Sequence, residues 1–539
     1  GEHTWSVLRR TGTVHLMAIS GLHIGLVAAL GFVLFRWLWS RSACALERLP
    51  APKAGAIGAL LAATTYAALA GFSLPTQRAL VMVAAAAATL MQRRLGPSHT
   101  LATAALAVLL LDPLSVSAWG FWLSFVAVAV ILYGTTGRLG QGRLWQRWGR
   151  VQWLVALGML PLGLLFFGQT SLLAPWANAV AVPWVGFVVV PLDLVGSVLA
   201  TAIPPLGTLL LKGAAAALGG LWYLLDRLAA LPLAAWHTPP PAGWTLVPAV
   251  VGLLWLLAPR GWPARWVGAL CLLPLLWLRP ATPPAGQAWL TLLDVGQGLS
   301  AVVRTARHTL VYDTGPRYSA TFDTGRAVVV PFLQTRGVAA VDALVLSHGQ
   351  NDHIGGARSV RAALPVRRVL AGDPQRPAGA EPCRAGQHWR WDGVVFRILH
   401  PARTQDGNNG SCVLKVTTAS GSALLTGDIE APAERALVGR YPRRLRSTVL
   451  VAPHHGSRTS SSPLFVRAVA PAYTLFSTGY RNRYGFPDPT VVRRYRRMGA
   501  AVFDTSRQGA LTIHFGAPHT DIETYRASAR HYWNAAPAP

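Results

Sequence analysis

The pattern of apolar and polar positions divides the chain in two. Up to about residue 280 the apolar residues come in runs close to the roughly 20 residues that a bilayer-spanning helix requires, separated by short basic or Pro/Gly-rich joints. The runs centre on 15–38, 54–71, 78–92, 101–111, 117–133, 151–167, 178–200, 206–224, 245–258 and 263–278. Several are too short to span alone, so the pattern predicts roughly eight to ten helices, some of them broken or re-entrant. At 281–286 the sequence ATPPAG interrupts, and beyond it short runs such as QAWLTLLDV, HTLVYDTG and DALVLSHG stand between turn residues. That second texture predicts a soluble α/β domain. The boundaries read as a membrane domain over 1–280, a linker over 281–286, an α/β domain over 287–518 and a tail over 519–539.

Composition sharpens this division. Of 539 residues, 52% are hydrophobic and 13% charged, against about 25% charged in ordinary soluble domains. A purely soluble enzyme is excluded. The net charge is +28, with 18 basic and 5 acidic residues up to position 285 and 31 and 16 after it. Such a balance favours a polyanionic partner, nucleic acid or an anionic membrane face. In the first half, basic joints such as Arg93–Arg94 and Arg138–Arg150 are explained by membrane topology alone, whereas in the second half a polyanionic substrate explains the excess better. The four cysteines, Cys44, Cys271, Cys383 and Cys412, are far apart without CxxC spacing, which predicts neither a zinc ribbon nor a disulfide framework. The chain starts at Gly1 with no Met and no signal-peptide pattern, and so reads as a fragment.

Polar residues inside the apolar runs are the membrane half's candidates for function, because their burial in lipid is costly unless they face protein or water. His15, Ser20 and His23 lie in TGTVHLMAISGLHIGLVA, where a continuous helix would set the two histidines about 80° apart on one face, and Gly21 and Gly25 form a GxxxG pair for close helix approach. Pro75 interrupts GFSLPTQRALVM, and Gln77 and Arg78 follow. Gln169, Asn178 and Asp193 intrude farther on, with Pro183 and Pro191 breaking the span around them. His15, Ser20, His23, Arg78 and Asn178 are the candidate channel-lining set. Hydrogen bonding within a helix bundle would equally explain the histidines, and an interfacial anchor would explain Arg78.

The strings HLMAISGLHIGLVA, GFSLPTQRALVM, DPLSVSAWGFWLSF and SLLAPWANAVAVP resemble the competence region of ComEC-type proteins over most of residues 4–280. The resemblance implies a multi-pass protein of the bacterial inner membrane. Its function would be a channel that imports single-stranded DNA during natural transformation, alongside other competence-machinery proteins. The family usually carries further membrane segments and an OB-like domain ahead of this region.

In the second half, LVLSHGQNDHIGG places His348, Gln350, Asp352 and His353 in a turn directly after an apolar run. SALLTGD places Asp428 after a second run, and STVLVAPHHGS places His454 and His455 after a third. Imidazoles and carboxylates converging from several strand ends suit Zn or Mn. The arrangement is similar to the metallo-β-lactamase fold, an αββα sandwich; with the apolar half before it, the expected fold is a polytopic α-helical membrane domain followed by an α/β (αββα) metallo-β-lactamase-like domain. LLDVGQGLSAVV with Asp294 and TLVYDTGP with Asp313 match its opening strands.

By that resemblance His348 serves a first metal, Asp352 and His353 a second, Asp428 bridges and His454 completes the set, with Asp352, His353 and Asp428 catalytic. Gln350 stands where the family usually has Asp, NNGS supplies Asn408, Asn409 and Ser411, and Phe486 replaces the usual His of YGHP. The expectation is therefore a divalent metal, Mn or Zn, with one firm site and one weak site. Gln350, Asn409 and His455 would be weak contacts to metal or phosphate. One cation could still support phosphodiester hydrolysis, at reduced activity.

GYRNRYGFP interleaves Arg481, Asn482 and Arg483 with Tyr480 and Tyr484, a pattern that can track a DNA backbone and stack bases. A solvated loop is the bland alternative, as is a basic helix face for Arg493, Arg494, Arg496 and Arg497. Three functions follow: a DNA-uptake channel with an attached nuclease-like domain that degrades or processes the other strand; a DNA transporter whose domain binds DNA without cutting it; and a membrane-anchored metallohydrolase of another phosphoester.

Overall fold

The computed structural model describes residues 2–17, 21–92, 96–135, 143–259, 261–278, 280–374, 377–516 and 520–529. The chain forms two compact units, Gly1–Arg279 and Pro280–Pro539.

The first unit is helical: α1 (Glu2–Thr11), α2 (Gly21–Trp39), α3 (Ala43–Arg48), α4 (Ala51–Leu69), α5 (Leu74–Gln92), α6 (Pro97–Leu111), α7 (Trp119–Thr135), α8 (Leu144–Phe167), α9 (Ala174–Trp184), α10 (Val190–Ala202), α11 (Pro204–Ala229), α12 (Leu246–Leu256), α13 (Val267–Leu270) and α14 (Leu273–Trp277). Among the described residues five stretches are long and apolar enough to cross a bilayer, Gly21–Trp39, Leu74–Met91, Trp145–Phe167, Ala174–Ala202 and Pro204–Ala229. Shorter apolar helices accompany them at Pro97–Leu111, Trp119–Thr135, Gly243–Leu256 and Val267–Trp277. Large apolar side chains such as Leu30, Val33, Leu110, Phe187, Val198 and Trp277 are exposed on the unit's surface, as lipid-facing residues must be.

Several local expectations change in this unit. His15 lies in a separate 3-10 turn, Val14–Leu16, and α2 begins only at Gly21, so His15 and His23 do not share a helix. His15 is exposed and His23 buried, while Ser20 lies outside the described residues. A Cβ on Gly21 would lie 3.3 Å from Ala79 of α5, whereas one on Gly25 would meet nothing within 4 Å. Close helix approach occurs one turn and more farther on, where a Cβ on Gly31 would lie 2.6 Å from the Gly58 carbonyl and one on Gly58 would lie 2.3 Å from Phe35.

Pro75 interrupts nothing, because it occupies the first turn of α5, where its missing N–H is not needed. Pro183 and Pro191 do not break their span either. A π turn at Val185–Val189 joins α9 to α10 and accommodates the lost backbone hydrogen bonds. Gln169 belongs to a two-residue strand, β1 (Gln169–Thr170), paired with β2 (Trp236–His237). Arg78 is 8% exposed, with its guanidinium against Gly120, which is not the position of an exposed interfacial anchor. Asn178 donates to the Gly12 carbonyl (3.3 Å) and so ties α9 to the end of α1.

The second unit is a four-layer sandwich. One sheet has eight strands in the order β17 (Thr520–Thr524), β16 (Leu511–Phe515), β3 (Ala288–Leu292), β4 (Ala301–Arg304), β5 (Thr309–Tyr312), β6 (Ala343–Leu346), β7 (Val369–Ala371) and β8 (Glu381–Pro382). The other has seven: β15 (Ala501–Asp504), β14 (Tyr473–Phe476), β13 (Val449–Val451), β12 (Ser422–Leu425), β11 (Val413–Thr417), β10 (Val394–His400) and β9 (His388–Trp391). Alternate residues such as Leu511, Ile513 and Phe515 face the other sheet and meet Leu290, Phe396 and Leu414 in the central core.

Helices cover both outer faces. α15 (Val330–Thr335) and α17 (Ala357–Ala363) bury Leu333 and Val360 on the larger sheet. α18 (Ala431–Arg440), α19 (Pro463–Val469) and α20 (Pro489–Arg497) bury Leu437, Phe465 and Tyr495 on the smaller one. Strands β5 to β8 run parallel, as do β12 to β15, so their C-terminal ends emerge along one edge of each sheet.

Two expectations are corrected in this unit. Residues 520–524, expected in a tail, form β17 and pair with β16 from Thr524 opposite Leu511 to Thr520 opposite Phe515; the region beyond Tyr532 lies outside the described residues. Cys383 and Cys412, expected to be unpaired, form a disulfide. Twenty-nine residues separate them in sequence, but β8 and β11 bring their Cα atoms to 5.9 Å. The spacing concealed this because the partners belong to different sheets. Cys44 and Cys271 are free.

Candidate metal centre

The turn after β6 begins with Ser347 and His348 and continues into a single helical turn, α16 (Asn351–Ile354), which carries Asp352 and His353. Asp428 follows β12, and His454 and His455 follow β13, so all three groups leave the C-terminal ends of parallel strands. Gly427 precedes Asp428 at φ 57°, a left-handed conformation that glycine adopts without strain, and its bare Cα packs against Ser347 and Ser411.

Asp352, His353, Asp428 and His455 each offer a ligand atom, and these atoms lie within 4.8 Å of one another. His353 Nε2 is 3.1 Å from Asp428, and His455 Nε2 is 3.5 Å from both Asp352 and Asp428. His348 stands beside the cluster, its ring centroid 4.3 Å from that of His353. Asp428 and the rings of His348, His353 and His455 are buried, and Asp352 is half-buried.

The place expected for His454 falls to His455. Both residues adopt left-handed φ, 50° and 54°, and this turns their side chains apart. His455 Nδ1 donates to the Ser477 carbonyl (2.7 Å), which leaves Nε2 facing the cluster. His454 turns to the rim, where Nδ1 meets Glu430 (3.2 Å) and the Thr459 hydroxyl (3.1 Å), and its Nε2 stays 3.9 Å from Asp428.

Orientation of His353 depends on Asp313. This buried residue, at φ 57°, takes the His353 Nδ1–H on one carboxylate oxygen (2.8 Å) and the Ser347 N–H on the other (2.7 Å). A carboxylate behind an imidazole fixes its tautomer and raises its basicity as a ligand. The Ser347 hydroxyl lies 3.0 Å from His348 Nδ1 and 3.2 Å from His353 Nδ1. Ser411 accepts from the Asp428 N–H (3.1 Å).

The charges are strongly coupled. Burial pushes the Asp428 carboxyl up, yet the imidazoles of His353 and His455 hold it well below the usual range. Burial lowers His353, but Asp428 and Asp313 raise it well above an ordinary imidazole. His455 is raised in the same way by Asp428 and Asp352, whereas burial and the neighbouring His353 lower His348.

The donor set fits a divalent cation. His348 Nε2, His353 Nε2, Asp428 Oδ1 and His455 Nε2 are all buried without a well-directed hydrogen bond. The close His353–Asp428 pair offsets part of the cost of that burial, and a cation would satisfy the remaining imidazole nitrogens. Imidazoles with carboxylates are the donors of zinc and manganese sites.

Gln350, in contrast, is exposed and its Nε2–H donates to Asn408 Oδ1 (2.8 Å), so at most a neutral amide oxygen stands where the family usually has a carboxylate. Asn409 Oδ1 accepts from the Glu430 N–H (3.1 Å) and braces the loop. Glu430, which the sequence reading overlooked, collects Thr459 (2.9 Å), Asn408 (3.5 Å) and His454 at the rim.

The Tyr/Arg loop lies on the same rim. Tyr480 and Tyr484 are 70% and 53% exposed, with the Arg481 and Arg483 guanidinium groups over their rings at 5.3 and 4.9 Å. Asn482 differs from expectation, because its side chain bridges Gly479 and Phe486 (2.7–3.1 Å) and holds the loop closed. Phe486 stacks on Tyr484 (5.6 Å) and meets His454 edge-on (6.0 Å), joining the loop to the cluster. On α20, Arg494 turns inward to the Ser461 carbonyl, while Arg493, Arg496 and Arg497 are exposed.

Comparison with known proteins matches residues 1–263 to the competence protein family and residues 293–480 to the metallo-β-lactamase superfamily. Competence protein ComA of Neisseria gonorrhoeae is 41% identical over 99% of this chain and 75% of its own length. Recombination protein 2 of Haemophilus influenzae is 31% identical over 97% of this chain and 71% of its own, and ComE operon protein 3 of Bacillus subtilis is 26% identical over 95% and 69%. The helical unit and the αββα unit are thus each matched by a model of their own, and the relatives align along almost the whole chain. The chain belongs to the ComEC-type competence protein family, as a multi-pass inner-membrane protein with a metallo-β-lactamase-like domain.

Proposed function

We propose that this protein takes up DNA through its helical unit as a single strand, and that its αββα unit is a metal-dependent phosphodiesterase acting on the strand that is not transported. Family membership supports a role in DNA uptake. The observation that carries the hydrolytic reading is the convergence of ligand atoms from Asp352, His353, Asp428 and His455 within 4.8 Å of one another. Asp352, His353, Asp428 and His455 would hold a divalent cation, manganese or zinc, with His348 beside it. Such a cation supplies Lewis acidity and lowers the pKa of water at neutral pH.

The protein's own residues do the rest. Asp313 holds His353 in the tautomer that presents Nε2. Arg481 and Arg483 neutralise the phosphodiester, and Tyr480 and Tyr484 offer faces on which bases stack. His454, with Nδ1 on Glu430, presents Nε2 at the rim, where it would hand a proton to the leaving oxygen. In the helical unit His23, Arg78 and Asn178 are the described residues proposed to line the path, together with His15 at its exposed end.

A second reading, DNA binding without hydrolysis, is favoured by one observation: Gln350 brings an exposed, neutral amide, a weak donor to such cations, where the family usually has Asp. The 539-residue chain in detergent should cut a labelled DNA oligonucleotide in Mn²⁺, and Asp352→Ala should slow cutting by about 100-fold or more. Retained DNA binding with no cutting in any divalent metal would establish the second reading instead.

A further inference from the structure

The groups proposed to hold the cation come from two sheets. His348, Asp352 and His353 follow β6 in the eight-stranded sheet, while Asp428 and His455 follow β12 and β13 in the seven-stranded sheet. The distance between these half-sets depends on what joins the sheets at this edge. The central core joins them through apolar contact, which has no direction of its own. The Cys383–Cys412 disulfide is a covalent join: Cys383 directly follows β8 of the larger sheet, and Cys412 directly precedes β11 of the smaller one.

Its surroundings reach both half-sets. The Cys412 N–H donates to the Ser347 carbonyl (2.9 Å), and the Ser347 hydroxyl sits between the Nδ1 atoms of His348 and His353. The next residue back, Ser411, accepts from the Asp428 N–H. The Cys412 carbonyl takes the hydroxyl of the fully buried Tyr312 (2.5 Å), and the Cys383 N–H donates to the Ala371 carbonyl (2.9 Å). The Ser411–Cys412 segment therefore braces both the histidine turn and Asp428, and the sulfur bond fixes that segment to the opposite sheet.

We propose that the Cys383–Cys412 disulfide is a positioning element of the metal centre: it holds the two half-sets at their binding separation, so cation affinity depends on the bond being intact. This rests on the reading of the cluster as a metal centre. Loss of a disulfide that acted only on the unfolded chain would lower the melting temperature and leave the affinity of the native site unchanged.

The test titrates Mn²⁺ into the 539-residue chain in detergent, followed by electron paramagnetic resonance, in a Cys44→Ser/Cys271→Ser background. Three forms are compared: oxidised protein, protein reduced with a trialkyl phosphine, and Cys383→Ala/Cys412→Ala. In the reduction the S–S bond breaks, the phosphine becomes its oxide with oxygen from water, and two thiols form. Oxidised glutathione then restores the bond by two exchanges that release two glutathione thiols.

The dissociation constant should rise about 10- to 100-fold in the reduced and double-variant forms, the scale of losing a supporting contact at a metal site. Reoxidation should return it to the starting value, with circular dichroism unchanged at the assay temperature. Equal affinities within twofold, beside a lowered melting temperature, would overturn the inference alone. Free thiols at Cys383 and Cys412 in the untreated protein would also overturn it. Absence of Mn²⁺ binding by the oxidised protein would overturn the metal-centre reading beneath it. If the double variant does not fold, the reduced and reoxidised forms decide.

Discussion

Asp313 lies behind the converging atoms, yet it governs how His353 presents Nε2. Its two carboxylate oxygens accept from His353 and from the Ser347 N–H, so one residue fixes both a ring and the backbone of the turn that carries it. Asp313→Asn keeps the size and one acceptor but loses the charge that holds the Nδ1 proton. Metal affinity should therefore fall about 10- to 100-fold, with the melting temperature less affected, as read by Mn²⁺ titration and thermal unfolding. Unchanged affinity would reduce Asp313 to a fold residue. At this scale the sequence disclosed which residue types converge, since His348, Asp352, His353 and Asp428 all follow apolar runs. It did not disclose which of His454 and His455 turns inward, because that depends on two consecutive left-handed residues and on the Ser477 carbonyl from another strand. Asp313 was visible in DTG as a fold match, but its partner His353 lies forty positions away, beyond any local spacing rule.

Helices and strands were legible to different degrees. Apolar runs marked the helices of the first unit well, because length and composition are local properties. Proline was misread three times there: Pro75 starts a helix, and Pro183 and Pro191 flank a π turn within a continuous span. Of the GxxxG pair, Gly21 approaches Ala79 of α5 and Gly25 meets nothing, since the spacing says nothing about which face meets a neighbour. A pair of substitutions separates these cases. At Gly58 an added Cβ would lie 2.3 Å from Phe35 across the α2–α4 contact, whereas at Gly25 nothing lies within 4 Å. Gly58→Ala should cost about 1–3 kcal/mol through overpacking. Gly25→Ala should be neutral or stabilising by up to about 1 kcal/mol, because alanine is the better helix former. Thermal unfolding in detergent reads both, and equal shifts would mean that the α2–α4 contact does not form as described.

For the whole molecule, the +28 charge and the disulfide bear on different questions. The exposed arginines of the Tyr/Arg loop and α20 lie in the αββα unit, where a polyanionic substrate would meet the cluster. Charge alone left open which side of the membrane that unit occupies, because the positive-inside rule needs a firm helix count. The disulfide supplies the missing constraint. Structural disulfides persist in oxidising compartments and are rare where cytosolic thiol systems keep cysteines reduced. A bond between Cys383 and Cys412 therefore predicts that the αββα unit lies on the face of the inner membrane away from the cytoplasm. Alkaline phosphatase fused after residue 539 should then be active in cells, since its own disulfides form only outside the cytoplasm, and a green fluorescent protein fused at the same point and exported through the general secretory route should stay dark. A bright fluorescent fusion with an inactive phosphatase would put the unit in the cytoplasm. The cysteines would then be reduced in the cell, and the metal centre would work without the bond that joins its two sheets.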